Sequence, residues 1–169
     1  MILKNNKYIL ILFLLLIALA AGLAVKYYTG TKELAARQEM IHEKGALVMP
    51  FDLAKTTHVF SNTDTGSFMQ VKAKDANDTE QIALIRSHLI KEAQNFENAD
   101  FSDPKALHGE NMPGLAVLSA SKGKYAVDYQ ELVDGAQLTF TTTDPNINNA
   151  LHMWFMAQMT DHGSDATSM

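Results

Sequence analysis

The sequence predicts an α+β domain: a mainly antiparallel sheet of four to five strands with two helices on one face, preceded by an N-terminal hydrophobic helix. Three observations lead to this prediction. Two β-hairpin patterns recur along the chain, a helical pattern follows each hairpin, and one long apolar run precedes them all. Helices that follow hairpins favour a layered arrangement, because the apolar face of a sheet must be covered.

The N-terminal apolar run extends from Tyr8 to Val25 and follows two lysines, Lys4 and Lys7. As a helix, its roughly 18 residues would measure about 27 Å, which is close to the hydrocarbon thickness of a membrane. Ala18-Leu19-Ala20 fits the small-residue pattern of a signal-peptidase site. Residues 1–29 are therefore predicted to be a signal anchor or transmembrane helix, with a cleaved signal peptide as the alternative.

The charges beside this run predict the location of the protein. Lysines that precede an apolar helix tend to stay on the cytoplasmic side, so we expect a single-pass inner-membrane protein whose domain faces the periplasm, or a secreted protein if the segment is cleaved. On this reading, residues 30–46 form a polar stalk or linker, residues 47–163 the α+β domain and residues 164–169 a disordered tail.

The first hairpin is predicted at residues 56–61 and 67–74, joined by a turn-rich bridge that ends at Gly66. Capping residues at 75–79 then introduce a helix whose apolar residues recur at helical spacing. These residues are Ile82, Ile85, Leu89, Ala93 and Phe96. Residues 101–113 contain two prolines and a glycine and predict a long ordered loop. A further strand is predicted at residues 115–121.

The second hairpin is predicted at residues 124–131 and 136–143, and Asp144-Pro145 introduces a helix that extends to about His162. Aligning Gly66 with Gly135 places Met69 on Leu138, which is the pattern of two duplicated ββα units. With a shorter helix entry in the second unit, the same alignment brings His88 opposite His152.

Composition excludes several classes of function. The chain has no cysteine, which rules out disulfides, thiolate metal sites and a cysteine nucleophile. It carries 14 basic and 19 acidic residues, and three of the lysines lie in the first 30 residues, where no acid occurs. The remainder is therefore more acidic than the whole chain. Because nucleic acid requires a basic surface to replace its counterions, no nucleic-acid partner is expected.

The last predicted helix has two apolar or soft faces. One stripe is expected to cover the sheet and consists of Ile147, Leu151, Trp154 and Gln158. A second line at i, i+4 and i+7 consists of His152, Met156 and Met159. Methionine stripes commonly fill core gaps or contact a partner protein, so this second face predicts packing or a protein interface.

The same residue types also suit a soft metal such as copper, which prefers imidazole and thioether ligands. The candidate ligands of such a site are His58, His88, His152, Met156 and Met159. Further donors are His42, Met40, Met49, His108, Met112 and His162. His58 is expected to face the core, where a lone histidine is more commonly a packed, hydrogen-bonded residue.

No catalytic motif is present: the sequence has no nucleophile elbow, no zinc-protease helix, no phosphate loop and no dinucleotide fingerprint. The leading function is therefore a membrane-tethered extracytoplasmic binding or accessory domain without catalysis of its own. The alternative is a periplasmic copper-type metal-binding protein. A small-molecule enzyme comes third, and its sign would be a pocket lined by His58 or His88 together with a carboxylate.

Several segments resemble a family of small exported bacterial proteins with no established activity. They include residues 51–60 (FDLAKTTHVF), 85–89 (IRSHL), 99–101, 113–114, 143–145 and 158–162, so the resemblance covers roughly residues 49–163. Members are sometimes labelled aspartate carbamoyltransferase. This chain lacks the Ser-Thr-Arg-Thr carbamoyl-phosphate loop of that enzyme and is about half its length. The resemblance therefore implies a domain and its export, and it implies no mechanism.

Overall fold

The computed structural model describes residues 3–168 and divides the chain into two compact units, with the boundary between Arg37 and Gln38. Helix α1 (Leu3–Val48) supplies all the described residues of the first unit. From Gln38 onward it belongs to the second unit, where Ile41 is fully buried. The predicted stalk at residues 30–46 is thus helical throughout, and its last residues are part of the folded domain.

The first unit is an uncovered apolar helix. The most apolar window of α1 has a mean hydropathy of 2.9, and none of it is buried by the rest of the described chain. Large side chains such as Phe13, Leu16 and Leu23 are more than half exposed. A continuous apolar surface of this kind is unfavourable in water. The helix is therefore a candidate membrane anchor or signal sequence.

The second unit is an α+β domain built on one five-stranded sheet, as predicted. Its elements, in chain order, are a 3₁₀ turn (Leu53–Lys55), β1 (Thr56–Thr63), β2 (Gly66–Ala73), α2 (Thr79–Glu97), α3 (Ser102–His108), α4 (Leu115–Ser119), β3 (Ala126–Leu132), β4 (Gly135–Thr141), α5 (Pro145–His162), a second 3₁₀ turn (Gly163–Asp165) and β5 (Ala166–Ser168). The strand order is β3-β4-β2-β1-β5. Only β5 is parallel to its neighbour, which makes the sheet mixed.

The two hairpins join through β2 and β4, and their register is symmetric. Met69 pairs with Leu138 at the centre, while Gly66 pairs with Thr141 and Lys72 with Gly135 at the two ends. With Gly66 aligned on Gly135, this register relates the two ββα units by a pseudo-twofold axis through the central pair. Each helix then crosses to the other hairpin: α2 packs mainly on β3 and β4, and α5 on β1 and β2.

Glycine is required at both ends of the β2–β4 pairing. A Cβ added at Gly66 would lie 1.8 Å from the Phe140 carbonyl oxygen, and one added at Gly135 would lie 1.9 Å from the Val71 carbonyl oxygen. Any side chain at either position would push the two strands apart. The close approach of the two central strands therefore depends on these two residues.

Both long helices of the second unit begin at an aspartate cap, as the sequence predicted. The Asp78 carboxylate accepts from the backbone N–H of Gln81, and the Asp144 carboxylate accepts from the backbone N–H of Asn146 at 2.8 Å. Pro145 occupies the first turn of α5, where the missing N–H of proline leaves no helical bond unmade.

The core is an aromatic cluster between the two helices and the sheet. The ring centroid of Trp154 on α5 lies 5.5 Å from that of Phe96 on α2 and 5.8 Å from that of Phe140 on β4. Trp154 is 0% exposed. These contacts place both helices on one face of the sheet. The Trp154 Nε1–H is buried and has no hydrogen-bond partner among residues 3–168.

Two predicted elements are corrected by the structure. The strand predicted at residues 115–121 is wrong, because Leu115–Ser119 is the short helix α4. Leu115 and Leu118 are both fully buried, and their spacing of three matches one helical face. Gly114 precedes them with φ +79°, and a Cβ there would lie 2.1 Å from the Ala150 carbonyl oxygen. The predicted loop at residues 101–113 contains helix α3.

The fifth strand comes from a segment that was predicted to be a disordered tail at residues 164–169. Within it, β5 pairs with β1 in parallel, with Ala166 opposite His58 and Ser168 opposite Phe60. A strand of three residues has no periodicity that a sequence could reveal. Its pairing partner, rather than its own composition, determines its conformation.

We expect Trp154→Ala to lower the free energy of unfolding by about 3–5 kcal/mol, because a large buried side chain is lost. Trp154→Phe should cost clearly less, since it keeps most of the ring and removes a buried N–H that has no partner. Urea titration of the full-length chain in mild detergent measures both, with the 88% exposed Val133→Ala as the control. Equal losses for the two Trp154 variants would contradict this account.

Candidate functional site

A histidine-lined cavity of about 50 Å³ lies within the second unit. Four of the six histidines line it, and each comes from a different element of the fold: His58 from β1, His88 from α2, His108 from the end of α3 and His162 from the end of α5. We call this cavity, together with the residues that line it, the histidine cavity.

His58 lies on the core face of β1 because it is two residues from Phe60, and alternate strand residues share a face. Its ring stacks on that of His162, with centroids 4.5 Å apart and planes at 18°. The ring of Phe51 lies 5.9 Å from His58 and 5.6 Å from His88. The Phe51 ring thus contacts two of the three histidines that were predicted as principal metal ligands, His58 and His88.

His108 is held by a carboxylate on the last helix. The His108 Nδ1 and an Asp161 Oδ2 oxygen are 2.9 Å apart, and both side chains are buried. A carboxylate oxygen accepts, so the Nδ1 atom donates in this bond. The His108 ring also lies 5.2 Å from that of His162. This hydrogen bond ties α3 to α5 at the edge of the cavity.

Burial keeps the imidazoles uncharged. It lowers the pKa of His162 to about 4 and the pKa of His88 to about 4, and it lowers the pKa of His58 well below its usual range. Repulsion from the neighbouring imidazoles lowers the pKa of His58 further, whereas its hydrogen bond to the backbone carbonyl of Asp165 opposes the shift. At neutral pH these three rings are therefore neutral.

A carboxylate pair completes the lining. Burial raises the pKa of Glu92 to about 7, and a hydrogen bond with Asp103 adds to the shift. Burial opposes ionisation of Asp103, but hydrogen bonds from Lys91, at 2.9 Å, and from Glu92 outweigh it and lower the pKa of Asp103. Asn95 donates to the other side of Glu92. Below neutral pH the pair thus holds one proton, on Glu92, and at pH 7 about half of the molecules carry it.

Three buried polar atoms that belong to cavity-lining residues have no hydrogen-bond partner in the part of the chain that the structure describes. They are His58 Nδ1, Gln158 Nε2 and His162 Nδ1. A neutral imidazole has one donor and one acceptor nitrogen, so the Nδ1 atom of His58 accepts when the other ring nitrogen carries the proton. Leaving such a group buried and unpaired costs about 1–3 kcal/mol. Three in one place indicate a site that can pair them with a ligand.

The structure separates the five predicted metal ligands. His58 and His88 line the histidine cavity, but His152 does not: its Nε2 lies 3.0 Å from the carbonyl oxygens of both Thr63 and Gly66. Thr63 is five residues beyond His58 on β1, which is about 16 Å along a strand. His152 therefore binds the far end of the hairpin.

Met156 and Met159 lie elsewhere again, in an open groove of about 270 Å³ that Phe60 and Phe155 also line. The five predicted ligands therefore do not meet at one site. Across residues 3–168, no group of three or more histidine, aspartate or glutamate side chains is arranged to hold a metal ion.

The structural counterpart of His152 is Arg86, which corrects the predicted alignment of His152 with His88. The Arg86 guanidinium donates to the carbonyl oxygens of Leu132, at 2.6 Å, and Gly135. In the pseudo-twofold alignment these two residues correspond to Thr63 and Gly66, which His152 binds. Each hairpin turn is therefore held by one donor from the helix that crosses it, and His152 has a structural role.

Three residues of the histidine cavity were not among the principal site residues that the sequence predicted. Glu92 was not singled out, although it lies at i+4 from His88 on the helix face that Leu89 buries. Gln158 was predicted only as part of the sheet-covering stripe, and His162 only as a further metal donor. A polar residue inside an apolar helical stripe was the signal that could have identified Glu92 and Gln158.

Comparison with protein-family models, curated proteins and solved structures finds no match to this chain. The resemblance of residues 49–163 to small exported bacterial proteins therefore stays a prediction. The function proposed below rests on the geometry and charge of the histidine cavity.

We expect His152→Ala to lower the free energy of unfolding by about 1–3 kcal/mol, because two carbonyl oxygens lose their donor. Hydrogen exchange should speed up at the β1–β2 turn and stay unchanged at the β3–β4 turn. Met153→Ala, on the same helix and 41% exposed, is the matched control. Unchanged exchange at the β1–β2 turn would show that His152 does not hold it.

We expect stability to fall on acidification between pH about 6.5 and 4. The three neutral imidazoles have lowered pKa values in the fold, so the unfolded chain binds more protons in this window and gains stability from acid. Glu92 acts in the opposite sense, because its pKa in the folded protein, about 7, lies above the ordinary value of 4.5. Its contribution to stability is lost as the pH rises from 4.5 to about 7.

Glu92→Gln removes that opposing contribution and should steepen the loss of stability on acidification, by up to about 1.4 kcal/mol per pH unit. Urea unfolding of the full chain at pH 5, 6 and 7 measures the slope. The exposed Glu97→Gln on the same helix serves as the control. A slope that matches the parent protein would contradict the raised pKa of Glu92.

Proposed function

We propose that this protein is a membrane-tethered extracytoplasmic binding domain, that the histidine cavity is its ligand site, and that the ligand is a small polar molecule. The observation that carries the proposal is the set of three buried polar atoms without a partner on His58, Gln158 and His162, all around one cavity. Natural proteins rarely leave such groups unpaired without a functional reason.

The tether part of the proposal is supported by the uncovered apolar helix and the lysines before it. The window of α1 with a mean hydropathy of 2.9 suits a membrane span, and Lys7 precedes it. The positive-inside tendency then favours a domain outside the cytoplasm, which in a bacterium is the periplasm. Cleavage of the same segment would release the domain and leave the histidine cavity unchanged.

The size of the cavity favours binding over catalysis on an organic substrate. Sites for drug-sized ligands occupy about 300–1,000 Å³, and a water molecule takes up about 30 Å³ of liquid. At about 50 Å³, the histidine cavity suits a molecule of few non-hydrogen atoms. His58 and His88 line this cavity together with Glu92, which is the combination of residues that the sequence linked to an enzyme. The cavity is too small for an organic substrate of ordinary size, so we propose binding rather than catalysis.

A protein partner at the second face of α5 remains a prediction. Met156 is 58% exposed beside the groove on α5, which is where a protein partner was predicted. The acidic charge of the chain supports the prediction that nucleic acid does not bind. Copper binding lacks a convergent ligand set among the described residues and is not proposed here.

Histidine side-chain NMR of the full-length chain in detergent tests the proposed function. Four probes are added separately at millimolar concentration: ammonium chloride, sodium formate, formamide and methanol. We expect at least one probe to shift the ring resonances of His58 and His162 saturably. The rings of His42 and His152, which do not line the cavity, are the internal controls.

Cavity-lining Val71→Phe provides a second test, because a larger side chain fills the available space. It should abolish the shifts if the variant still folds, which the methyl spectrum of the core reports. The proposal fails if no probe shifts the cavity histidines, or if Val71→Phe leaves the shifts intact.

A further inference from the structure

We infer that the histidine cavity binds a small ammonium ion, either ammonium itself or a primary amine of the size of methylammonium, in exchange for the proton on Glu92. This inference rests on the proposed function and names the class of ligand. Three independent features of the lining lead to it: its charge, its hydrogen-bonding groups and its size.

Two carboxyl side chains belong to the lining of the cavity. Glu92 and Asp103 line the cavity, and no lysine or arginine does. The imidazoles of His58, His88 and His162 add no positive charge at neutral pH. A buried anion would therefore lack a counter-charge in the wall, which is costly, whereas a cation would have one.

The available hydrogen-bonding groups favour a ligand rich in donors. The Nδ1 atom of His58 has no partner among the described residues, and it accepts when the other ring nitrogen carries the proton. The Gln158 amide has no partner for its nitrogen there and can present its oxygen after a half-turn about its last bond. An ammonium group has three or four N–H donors to pair with such acceptors and with Glu92. A methanol-sized neutral ligand has only one.

The size of the cavity and its apolar walls limit which cation can bind. About 50 Å³ admits one to three non-hydrogen atoms, so a tetramethylammonium ion is too large. Phe51 and Phe96 line the cavity beside Met49 and Met69. Aromatic faces attract a desolvated cation, typically by about 1–2 kcal/mol, and apolar walls exclude the water that a metal ion would bring with it.

The carboxylate pair provides the charge balance. In the empty site below neutral pH one proton is held on Glu92, which donates to Asp103. When an ammonium ion enters, the proton leaves Glu92 for solvent and both carboxylates become ionised, so the net charge of the site does not change. The titratable groups that interact with this pair are His88 and Lys91 on α2, and His108 on α3 and His162 on α5 line the same cavity. His58 on β1 faces the same cluster.

Proton release tests this exchange directly. The full-length chain in detergent is brought to pH 7 in weak buffer and titrated with ammonium chloride, methylammonium chloride, tetramethylammonium chloride or potassium chloride at matched ionic strength. We expect the first two salts to release up to about half a proton per chain, because Glu92 with a pKa of about 7 is half protonated at this pH, and to shift the His58 and His162 resonances. Potassium and tetramethylammonium chlorides should do neither.

The matched variants are Glu92→Gln and Asp128→Asn. Glu92→Gln keeps the hydrogen bonds to Asp103 and Asn95 but has no proton to lose, so it should abolish proton release and weaken ammonium binding at least tenfold. Asp128 is exposed on β3, away from the cavity, and its variant should behave as the parent protein. Binding to the parent should strengthen from pH 6 to pH 8.

Each outcome tests a separate part of the inference. Saturable binding of formate or methanol without ammonium would overturn the cation assignment and leave the cavity as a ligand site. Ammonium binding with no proton release, or with full strength in Glu92→Gln, would overturn the exchange. The absence of any saturable shift with all probes would overturn the proposed function as well.

Discussion

The close approach of β2 and β4 is the constraint on which the rest of this structure depends. Glycine at both ends of their pairing lets the two backbones pack where any side chain would separate them. The pairing joins two hairpins into one sheet around the Met69–Leu138 pair and gives the pseudo-twofold arrangement. It also directs each long helix onto the hairpin of the other ββα unit, which brings Phe96 and Trp154 into contact.

The histidine cavity is a consequence of the same packing. The aromatic core fixes Phe96 in the last turn of α2 and Trp154 in the middle of α5. His88 and Glu92 lie two turns and one turn before Phe96, Gln158 and His162 lie one turn and two turns after Trp154, and the four side chains converge near β1 and α3. The burial that stabilises the core also sets the protonation there, with neutral imidazoles and a protonated carboxylic acid within one small space. Stability and ligand chemistry thus share one cause, the exclusion of water.

The sequence predicted elements that have a clear period or cap, and it failed where neither exists. Both hairpins and both long helices are found close to their predicted positions, because strand alternation and the caps at Asp78 and Asp144 are local signals. Residues 115–121 are apolar but too short for their period to distinguish a strand from a helix. The cavity joins His58 to His162, which are far apart in the chain, so only the tertiary fold brings its residues together.

One hydrogen-bonded chain connects the histidine cavity to the outside of the domain. The backbone carbonyl of Asp165 accepts from His58, and its carboxylate lies 2.6 Å from the Nδ1 of His42, whose side chain is 44% exposed. A ligand that rotates His58 would disturb this aspartate and, through it, an imidazole at the surface. A single residue of the segment between α5 and β5 thus joins the wall of the buried site to a side chain at the surface.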